Sequence, residues 1–168
     1  EETGEEMRKD WDNMRDKWGM LYGFVYIRPY GKDGKGFDCM GAFEVSSTGA
    51  QSGWGPMLYD LAMEYATKNG GGLVSDRQGV SEDAYFVWKR YMDERDDIEK
   101  VQLDDLINSL TPEDADNCTQ LASIKWAEKN GGKWNWKPTS MLYRKNNTEI
   151  FDKLKSRGKL YRESALEE

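Results

Sequence analysis

Three glycines and a proline between positions 49 and 56 form the pattern in this chain that best suits ligand binding. Gly49, Gly53 and Gly55 can adopt positive φ and allow a ligand to approach the backbone closely. Pro56 suits the first position of a helix, where a missing N–H costs nothing. Because N–H groups at a helix start attract anions, the pattern predicts a phosphate or pyrophosphate site. The alternative is an ordinary turn that joins a strand to a helix, as many α/β proteins contain.

The residues on either side of this turn predict the elements that would position it. Phe43 and Val45 alternate with polar residues, which is typical of a half-buried strand. We expect this strand to span residues 37–47 and to form a hairpin with a strand over residues 20–28. After the turn, apolar residues at helical spacing predict a helix that ends at Gly70; they are Leu58, Leu61, Ala62, Tyr65 and Ala66.

The chain contains no histidine. This excludes Ser-His-Asp and Cys-His nucleophile systems, zinc held by histidine, and acid–base catalysis by imidazole. Any catalysis would therefore use carboxylates, tyrosine, cysteine, lysine, backbone amides or the positioning of the reactants.

The composition predicts one acidic domain. A length of 168 residues suits a single hydrophobic core. The net charge of −7 argues against a general nucleic-acid-binding function, although not against a local basic groove. No apolar run approaches the roughly 20 residues of a membrane span, and no signal peptide is visible. Since the first residue is Glu1 and not Met, we expect a processing or expression boundary there.

The two cysteines, Cys39 and Cys118, fit no metal-binding motif. We expect both thiols to be reduced, which indicates a cytoplasmic protein. Glycosylation sequons occur at residues 117–119 and 146–148. Because no secretory signal accompanies them, we expect these sequons to be chance matches.

The rest of the chain predicts alternating helices and short strands, without an internal repeat or a linker. Ser81 is a good N-cap, and Glu82 and Asp83 follow it at the positive end of a helix. A third helix is predicted from Thr111 to about residue 129. The other predicted elements are a helix up to residue 17, strands over 73–76, 98–103 and 140–144, and a helix over 148–157 that Gly158 caps.

These elements together predict a single α/β (α+β) domain. Its sheet should be mixed, mostly antiparallel and flanked by helices. We expect the core over residues 20–104 and a helical C-terminal extension over residues 111–161. The charged tail after Tyr161 is expected to fray.

Between Phe37 and Tyr91 the predicted order is strand, Gly-rich turn, helix, short strand, helix. This order resembles the acetyl-CoA-binding part of the GNAT family of N-acetyltransferases. The stretch Gly53-Trp54-Gly55 is similar to that family's Gly-x-Gly pyrophosphate loop, and residues 81–91 resemble its Asn-x-x-Ala-x-x-Phe-Tyr segment. The likeness covers about a third of the chain. A vaguer likeness extends to proteins of tailed phages.

The resemblance implies a single GNAT-like domain that binds acetyl-CoA and transfers its acetyl group to an amine acceptor. In that family the backbone of the strand before the loop follows the pantetheine arm, and the loop surrounds the pyrophosphate. The resemblance therefore places Val45, Ser46 and Ser47 along the pantetheine, and Gln51, Gly53, Trp54 and Gly55 around the pyrophosphate.

Two side chains are candidates for proton transfer if the resemblance extends to activity. Glu44, on the strand before the loop, is the candidate base and would act through a water. Tyr85 is the candidate acid that protonates the departing thiolate. The structural alternatives are a solvent-facing strand residue for Glu44 and a packing residue for Tyr85.

Two features depart from the family pattern. The loop has Ala50 where the family carries Gln or Arg, with Gln51 one place later, and no Lys or Arg lies over residues 39–67. Trp88 aligns with the tyrosine that protonates the departing thiolate in that family. An indole N–H cannot act as this acid, because it does not ionise in the accessible pH range. These departures favour a second hypothesis, a catalytically inactive GNAT-like binding or assembly module such as a phage virion component.

Other groups of residues suggest different ligands. Asp76, Glu82 and Asp83 could hold a divalent metal, as in a nuclease. The alternatives are a surface pair between Asp76 and Arg77, and stabilising charges at the helix start. The Trp-Asn-Trp of residues 134–136 could stack nucleic-acid bases, clamp a loop onto the core, or anchor a protein partner.

Overall fold

A five-stranded sheet forms the centre of the computed structural model, which describes residue 12 and residues 22–31, 39–129 and 136–159. In spatial order its strands are β1 (Gly23–Pro29), β2 (Ala42–Ala50), β3 (Gly72–Val74), β7 (Met141–Lys145) and β4 (Ile98–Gln102). Strands β2 and β3 run parallel, whereas the other neighbouring pairs are antiparallel. Across these described ranges the fold is a single α/β domain with a mixed, mostly antiparallel sheet, which confirms that part of the prediction.

Strands β1 and β2 form the predicted antiparallel hairpin. Its register runs from Gly23 opposite Ala50 to Pro29 opposite Phe43, with a bulge near Tyr26. Strand β2 continues three residues beyond the predicted end at residue 47. The chain enters β2 through a tight turn over residues 39–41, so the strand begins at Ala42.

The three glycines at 70–72 end the preceding helix, as predicted, and also bring β3 close to the turn over residues 39–41. The N–H of Gly71 donates to the carbonyl of Gly41 at 2.7 Å. A Cβ atom at Gly71 would lie only 1.8 Å from the carbonyl oxygen of Met40. Glycine is therefore required where β3 enters the sheet beside β2.

Helices pack on the sheet at positions that agree with most of the predictions. The hydroxyl of Ser81 accepts a hydrogen bond from the N–H of Ala84 at 3.3 Å, which confirms the predicted N-cap. Pro56 lies in the first turn of its helix, also as predicted. The described helices are α1 (Gly55–Asn69), α2 (Glu82–Glu94), α3 (Leu121–Lys129) and α4 (Glu149–Ser156).

The sheet carries a hydrophobic cluster on each face, because successive strand residues point in opposite directions. Phe43 and Leu73 belong to the larger cluster, which includes residues of α1 and α2. Ala42 and Val74, each one residue away from these, belong to the smaller cluster. This alternation places Glu44, which lies between Phe43 and Val45, on the same face of the sheet as Ala42.

The predicted third helix is wrong in its first half. Residues 111–116 form turns, and Asn117–Cys118 is a short strand, β6, that runs parallel to β5 (Asp104–Asp105). The Asp104 carboxylate accepts hydrogen bonds from the N–H groups of Leu110 and Thr111 at 2.7 and 2.8 Å. These bonds turn the chain where the sequence pattern predicted a helix start, and α3 begins at Leu121 instead.

The expectation of two reduced cysteines is also wrong. Cys39 and Cys118 form a disulfide, with a Cα–Cα distance of 4.9 Å. Both residues are buried in the smaller hydrophobic cluster. The pairing joins the turn before β2 to β6, a contact that the 79-residue separation in sequence conceals. The cysteines therefore no longer support the expected cytoplasmic location.

The last third of the chain contributes to the central sheet as well as to the helices. Strand β7, predicted over residues 140–144 in the C-terminal extension, lies between β3 and β4. Helix α4 agrees with the predicted helix, and Gly158 beyond it has a φ of 61°. The predicted first helix, Trp134 and the charged tail lie outside the described residues. None of the described helices is both long and apolar enough to cross a membrane.

Candidate functional site

A groove opens where β2 separates from β3. The two strands pair over three residues, ending with Glu44 opposite Val74, and β2 then continues to Ala50. The groove has a volume of about 270 Å³. Its lining combines the second half of β2 with α1, the loop after β3 and α2: Val45, Ser46, Ser47, Thr48, Tyr59, Asp76, Gly79, Val80, Ser81, Ala84 and Trp88. The structure thus brings the three predicted pantetheine residues, Val45, Ser46 and Ser47, together along one wall.

The predicted pyrophosphate residues lie together in the turn between β2 and α1. The N–H of Trp54 donates to the carbonyl of Gln51 at 3.1 Å, and the N–H of Leu58 donates to the carbonyl of Trp54 at 3.2 Å. Gly53 has a φ of 90°, and a Cβ atom there would meet open space. The turn therefore presents the start of α1 to solvent, with room beside Gly53 for a ligand.

The electrostatics of this turn rest on backbone groups. No Lys or Arg occurs over residues 39–67, so neither β2 after the turn at residues 39–41 nor most of α1 carries a cation. The positive end of the α1 dipole and the N–H groups of its first turn are the anion-attracting features that the segment itself provides. A phosphate group would be held here by the N–H donors of Gly53 and Gly55.

Tyr59 and Trp88 form the closed end of the groove. Their rings meet edge to face, with centroids 5.6 Å apart. Burial raises the pKa of the Tyr59 hydroxyl above its usual value, although a hydrogen bond with Thr48 acts in the opposite direction. Tyr59 therefore stays protonated at neutral pH and can act as a hydrogen-bond donor.

Tyr85, the predicted acid, occupies a different place. Its ring is buried and stacks on Trp126, with centroids 4.3 Å apart. Burial raises the pKa of its hydroxyl as well. Tyr85 is not one of the residues that line the groove, whereas Ala84 and Trp88 on the same helix are. The structure thus places Tyr85 among packing residues, and its proposed chemical role stays a prediction.

Glu44, the predicted base, belongs to a second cavity. This cavity has a volume of about 400 Å³, and its walls come from β1, β2 and two loops. The Glu44 carboxylate is buried, accepts a hydrogen bond from Arg28 Nε at 2.7 Å, and accepts another from the N–H of Arg77 at 3.3 Å. The residues that line the cavity are Arg28, Pro29, Tyr30, Gly31, Glu44, Gln78 and Thr119.

Arg77 holds one wall of this cavity in place, and the predicted surface pair with Asp76 is wrong. Its side chain is completely buried. Nη1 donates to the carbonyl of Thr139 at 2.7 Å, while Nε and Nη2 both donate to the carbonyl of Thr119. Burial lowers the pKa of the guanidinium to about 10, so it stays charged at neutral pH. Because Thr119 lines the cavity, Arg77 fixes the position of that wall.

The segment over residues 76–80 separates the groove from the cavity. Asp76 and Gly79 line the groove, whereas Gln78 lines the cavity. The Asp76 carboxylate accepts hydrogen bonds from the N–H groups of Gln78 at 2.6 Å and Gly79 at 3.1 Å. This short segment is therefore a wall common to both spaces.

The metal hypothesis gains no support from the structure. Glu82 and Asp83 occupy the first turn of α2, where they stabilise the helix dipole. Across the described ranges no group of three His, Cys, Asp or Glu residues could hold a metal ion. Trp136, which the nucleic-acid hypothesis invoked, is about half exposed beside a short turn over residues 137–139.

The site residues predicted from the sequence do not include Tyr59 and Arg28, which line the two spaces, or Arg77, which holds the cavity wall. Tyr59 lies on the buried face of α1, but it fell outside the set of apolar residues that predicted that helix. Arg77 followed an acidic residue and therefore suggested a surface pair. Arg28 ends a predicted strand, and its partner Glu44 lies 16 residues away. Only the hairpin register, which the sequence does not specify residue by residue, brings these two together.

Comparison of this chain with models of known families, with curated proteins and with solved structures finds no match. The groove, the turn at the start of α1 and the cavity at Glu44 are therefore the features from which we infer a function.

Proposed function

We propose that this protein transfers an acetyl group from acetyl-CoA to an amine acceptor. The observation that carries the proposal is the groove along the second half of β2, which leads towards the Gly53-Trp54-Gly55 turn at the start of α1. The order β2, turn, α1, β3, α2 agrees with the order on which the GNAT resemblance rests. In this proposal the chain is a GNAT-like enzyme.

The groove and the turn suit the two halves of the cofactor. Beyond Glu44 the ladder between β2 and β3 has ended, so the backbone edge of Val45–Ser47 faces the groove. A pantetheine arm carries amides that can pair with such an edge in the manner of an added strand. Its pyrophosphate would lie at the start of α1, where backbone N–H groups replace the missing cations.

The transfer itself needs proton movements that the two spaces can provide. An ammonium acceptor loses one proton to become a nucleophile, its nitrogen forms a bond to the acetyl carbon, and the C–S bond breaks. Tyr59 supplies a proton to the departing thiolate, and the second proton that the nitrogen gives up restores the Tyr59 hydroxyl. The net products are the acetylated amine, the free thiol of CoA and one proton released to solvent. Glu44 lies where the pairing of β2 with β3 ends, and in this proposal the amine enters through the cavity that Glu44 lines.

Calorimetric titration with acetyl-CoA tests the proposal. We expect micromolar binding by the parent protein and its loss in Gly53→Glu, because that side chain puts a negative charge where the pyrophosphate would lie. Gly158→Glu is the matched control, since Gly158 also has a positive φ, at 61°, and open space around it, but follows α4. Backbone strain alone would affect both variants.

Two results would contradict the assignment. One is an absence of acetyl-CoA binding at millimolar concentration. The other is equal binding by the parent protein and Gly53→Glu, which would remove the turn from the site. If acetyl-CoA binds as expected, turnover with simple primary amines is the next measurement.

An alternative function, a non-catalytic binding or assembly module such as a phage virion component, is favoured by a different observation. Ile107 and Leu110 are 83 % and 91 % exposed on a surface loop. Hydrogen bonds to the carboxylates of Asp104 and Asp105 hold this loop in shape. Exposed aliphatic side chains in a fixed loop are typical of a contact with another protein. Sedimentation at rising protein concentration tests association with a second copy, which Ile107→Ser should weaken.

Each of the two proposed functions implies a different location for the protein. A cytoplasmic enzyme, in a host cell if the chain is encoded by a phage, would meet acetyl-CoA directly. A virion component would meet its partners during assembly. The disulfide between Cys39 and Cys118 fits an oxidising compartment better than a reducing one.

A further inference from the structure

The cavity beside β2 contains the buried carboxylate of Glu44, whose ion-pair partner Arg28 is much more exposed. The side chain of Glu44 is 7 % exposed, whereas the side chain of Arg28, which contacts it at 2.7 Å, is 63 % exposed. We propose that this cavity binds a small cationic amine, whose ammonium group displaces Arg28 from Glu44. The amine would be the acceptor of the proposed transfer, so its role rests on the proposed function, although binding itself depends on the cavity alone.

The difference in exposure makes Arg28 the replaceable member of the pair. A buried carboxylate is stabilised by a cation close to it, because water no longer solvates the charge. An exposed guanidinium loses little when it leaves, since water solvates it and salt screens the contact. A ligand ammonium that enters the cavity can therefore replace Arg28 at low cost and leave the carboxylate paired.

The second oxygen of Glu44 is held independently of Arg28. The backbone N–H of Arg77 donates to Oε2 at 3.3 Å, while Arg28 contacts Oε1. The buried guanidinium of Arg77 anchors this backbone to the carbonyl groups of Thr119 and Thr139. The carboxylate thus keeps its direction when Arg28 moves away, which prepares it to receive an ammonium group.

The rest of the lining defines the class of ligand. Tyr30, Gln78 and Thr119 provide neutral polar groups, and Pro29 provides an apolar one. A volume of about 400 Å³ admits a small organic cation. The net charge of −7 attracts cations to the protein and repels anions. A primary amine with a short carbon chain fits these conditions.

An NMR titration with n-butylammonium chloride, without acetyl-CoA and at constant ionic strength, tests this inference. We expect shifts of the backbone signals of Arg77, Gln78 and Thr119. In Arg28→Ala the apparent affinity should rise about twofold to fivefold, which is the fold-change for removing a competing ion pair of surface strength. Arg90→Ala is the matched control, because Arg90 forms an exposed pair with Glu94 on α2. It removes the same charge and should leave the affinity nearly unchanged.

Three outcomes would overturn the inference. The first is an affinity for n-butylammonium that is unchanged or weaker in Arg28→Ala. The second is an equal gain in affinity in Arg90→Ala. The third is that n-butyrate binds in the same cavity and that its binding is lost in Arg28→Ala. Glu44→Gln should abolish the shifts, and the Arg28→Ala result decides the matter if Glu44→Gln does not fold. Amine binding without acetyl-CoA binding would refute the proposed function alone. Acetyl-CoA binding without amine binding would refute this inference alone.

Discussion

The guanidinium of Arg77 donates all of its hydrogen bonds in the structure to neutral backbone and side-chain groups within the protein. Nη2 also donates to Gln120 Oε1 at 3.2 Å, and Nη1 to Ser75 Oγ at 3.0 Å. Arg77 could bind a phosphate ligand only with its hydrogen-bond donors directed outward, and it directs them into the protein. Its role is to connect the end of β3 to the start of α3 and to the turn before β7.

Replacing Arg77 therefore tests a structural role. In Arg77→Met we expect the free energy of unfolding to fall by about 3 kcal/mol, because the carbonyl groups of Thr119 and Thr139 lose their donors while still buried. Urea denaturation measures the change. Arg90→Met, on the exposed face of α2, should alter stability by about 0.5 kcal/mol or less. A small effect at Arg77 would mean that water replaces the guanidinium.

Tyr59 and Tyr85 can be distinguished by catalysis. If Tyr59 donates a proton to the thiolate, Tyr59→Phe should lower kcat about 100-fold and leave the Kd for acetyl-CoA almost unchanged. Tyr85→Phe should leave kcat nearly unchanged, because its ring stacks on Trp126 outside the groove. Steady-state kinetics with calorimetric binding give both quantities. The reverse pattern would restore the acid role predicted for Tyr85 from the sequence.

Among the secondary-structure elements, the sequence predicted correctly the features that depend on residues close together in the chain. The helix cap at Ser81, the helix α1 itself and the hairpin of β1 and β2 depend on residues close in sequence, and all three are confirmed. The predicted apolar face of α1 is only partly right, because Ala62 and Ala66 are buried but Tyr65 is exposed. The strand at β7 was also predicted, but its position between β3 and β4 depends on long-range pairing. The false start of the third helix has the same cause, since Asp104 acts on it from an earlier segment.

The candidate site also has one part that could be predicted from the sequence and one part that only the fold brings together. The Gly-rich turn and the groove-lining half of β2 are continuous in sequence, so their arrangement at one site could be predicted. The cavity at Glu44 combines β1, β2 and the loops at Gln78 and Thr119, which only the folded sheet brings together. Arg28 and Arg77 consequently could not be assigned from the sequence.

A charged cluster connects α1, the loop between α2 and β4, and β7. Arg95 contacts both Asp60 and Asp97, and Lys145 contacts Asp97 at 2.7 Å. The Arg95 guanidinium, followed by Lys145, holds the pKa of the Asp97 carboxyl well below its usual range. Glu64 completes the cluster and accepts a hydrogen bond from the N–H of Phe151 at 2.6 Å, which attaches α4.

This cluster predicts a loss of stability in acid. Because the pKa of Asp97 is lower in the folded protein, the unfolded chain binds the proton first as pH falls. The stabilisation from Asp97 is thus complete above its unfolded pKa of about 3.9 and is lost progressively below it. Urea denaturation between pH 7 and 2 should show a weaker acid dependence in Asp97→Asn than in the parent. Asp93→Asn, which removes an exposed partner of Lys89, is the control and should keep the parental slope.

For the whole molecule, the disulfide is the main covalent constraint between distant parts of the described chain. It closes a loop of 79 residues that contains α1, β3, α2 and β4, together with the groove. One end lies before β2, and the other lies next to Thr119 in the cavity wall. The constraint therefore spans both spaces of the candidate site.

Removing the disulfide should destabilise the fold without abolishing it. A cross-link over a loop of this length is expected to contribute about 4 kcal/mol, mainly by restricting the unfolded chain. We expect urea denaturation of the double variant Cys39→Ser/Cys118→Ser to give a free energy of unfolding lower by that amount, and the parent in dithiothreitol to match it. The other members of the smaller hydrophobic cluster, which include Ala42, Val74 and Leu142, still pack together without the S–S bond, so the native sheet should persist. Two titratable thiols in the native, unreduced parent would contradict the pairing, and stability unaffected by the double variant would contradict its contribution.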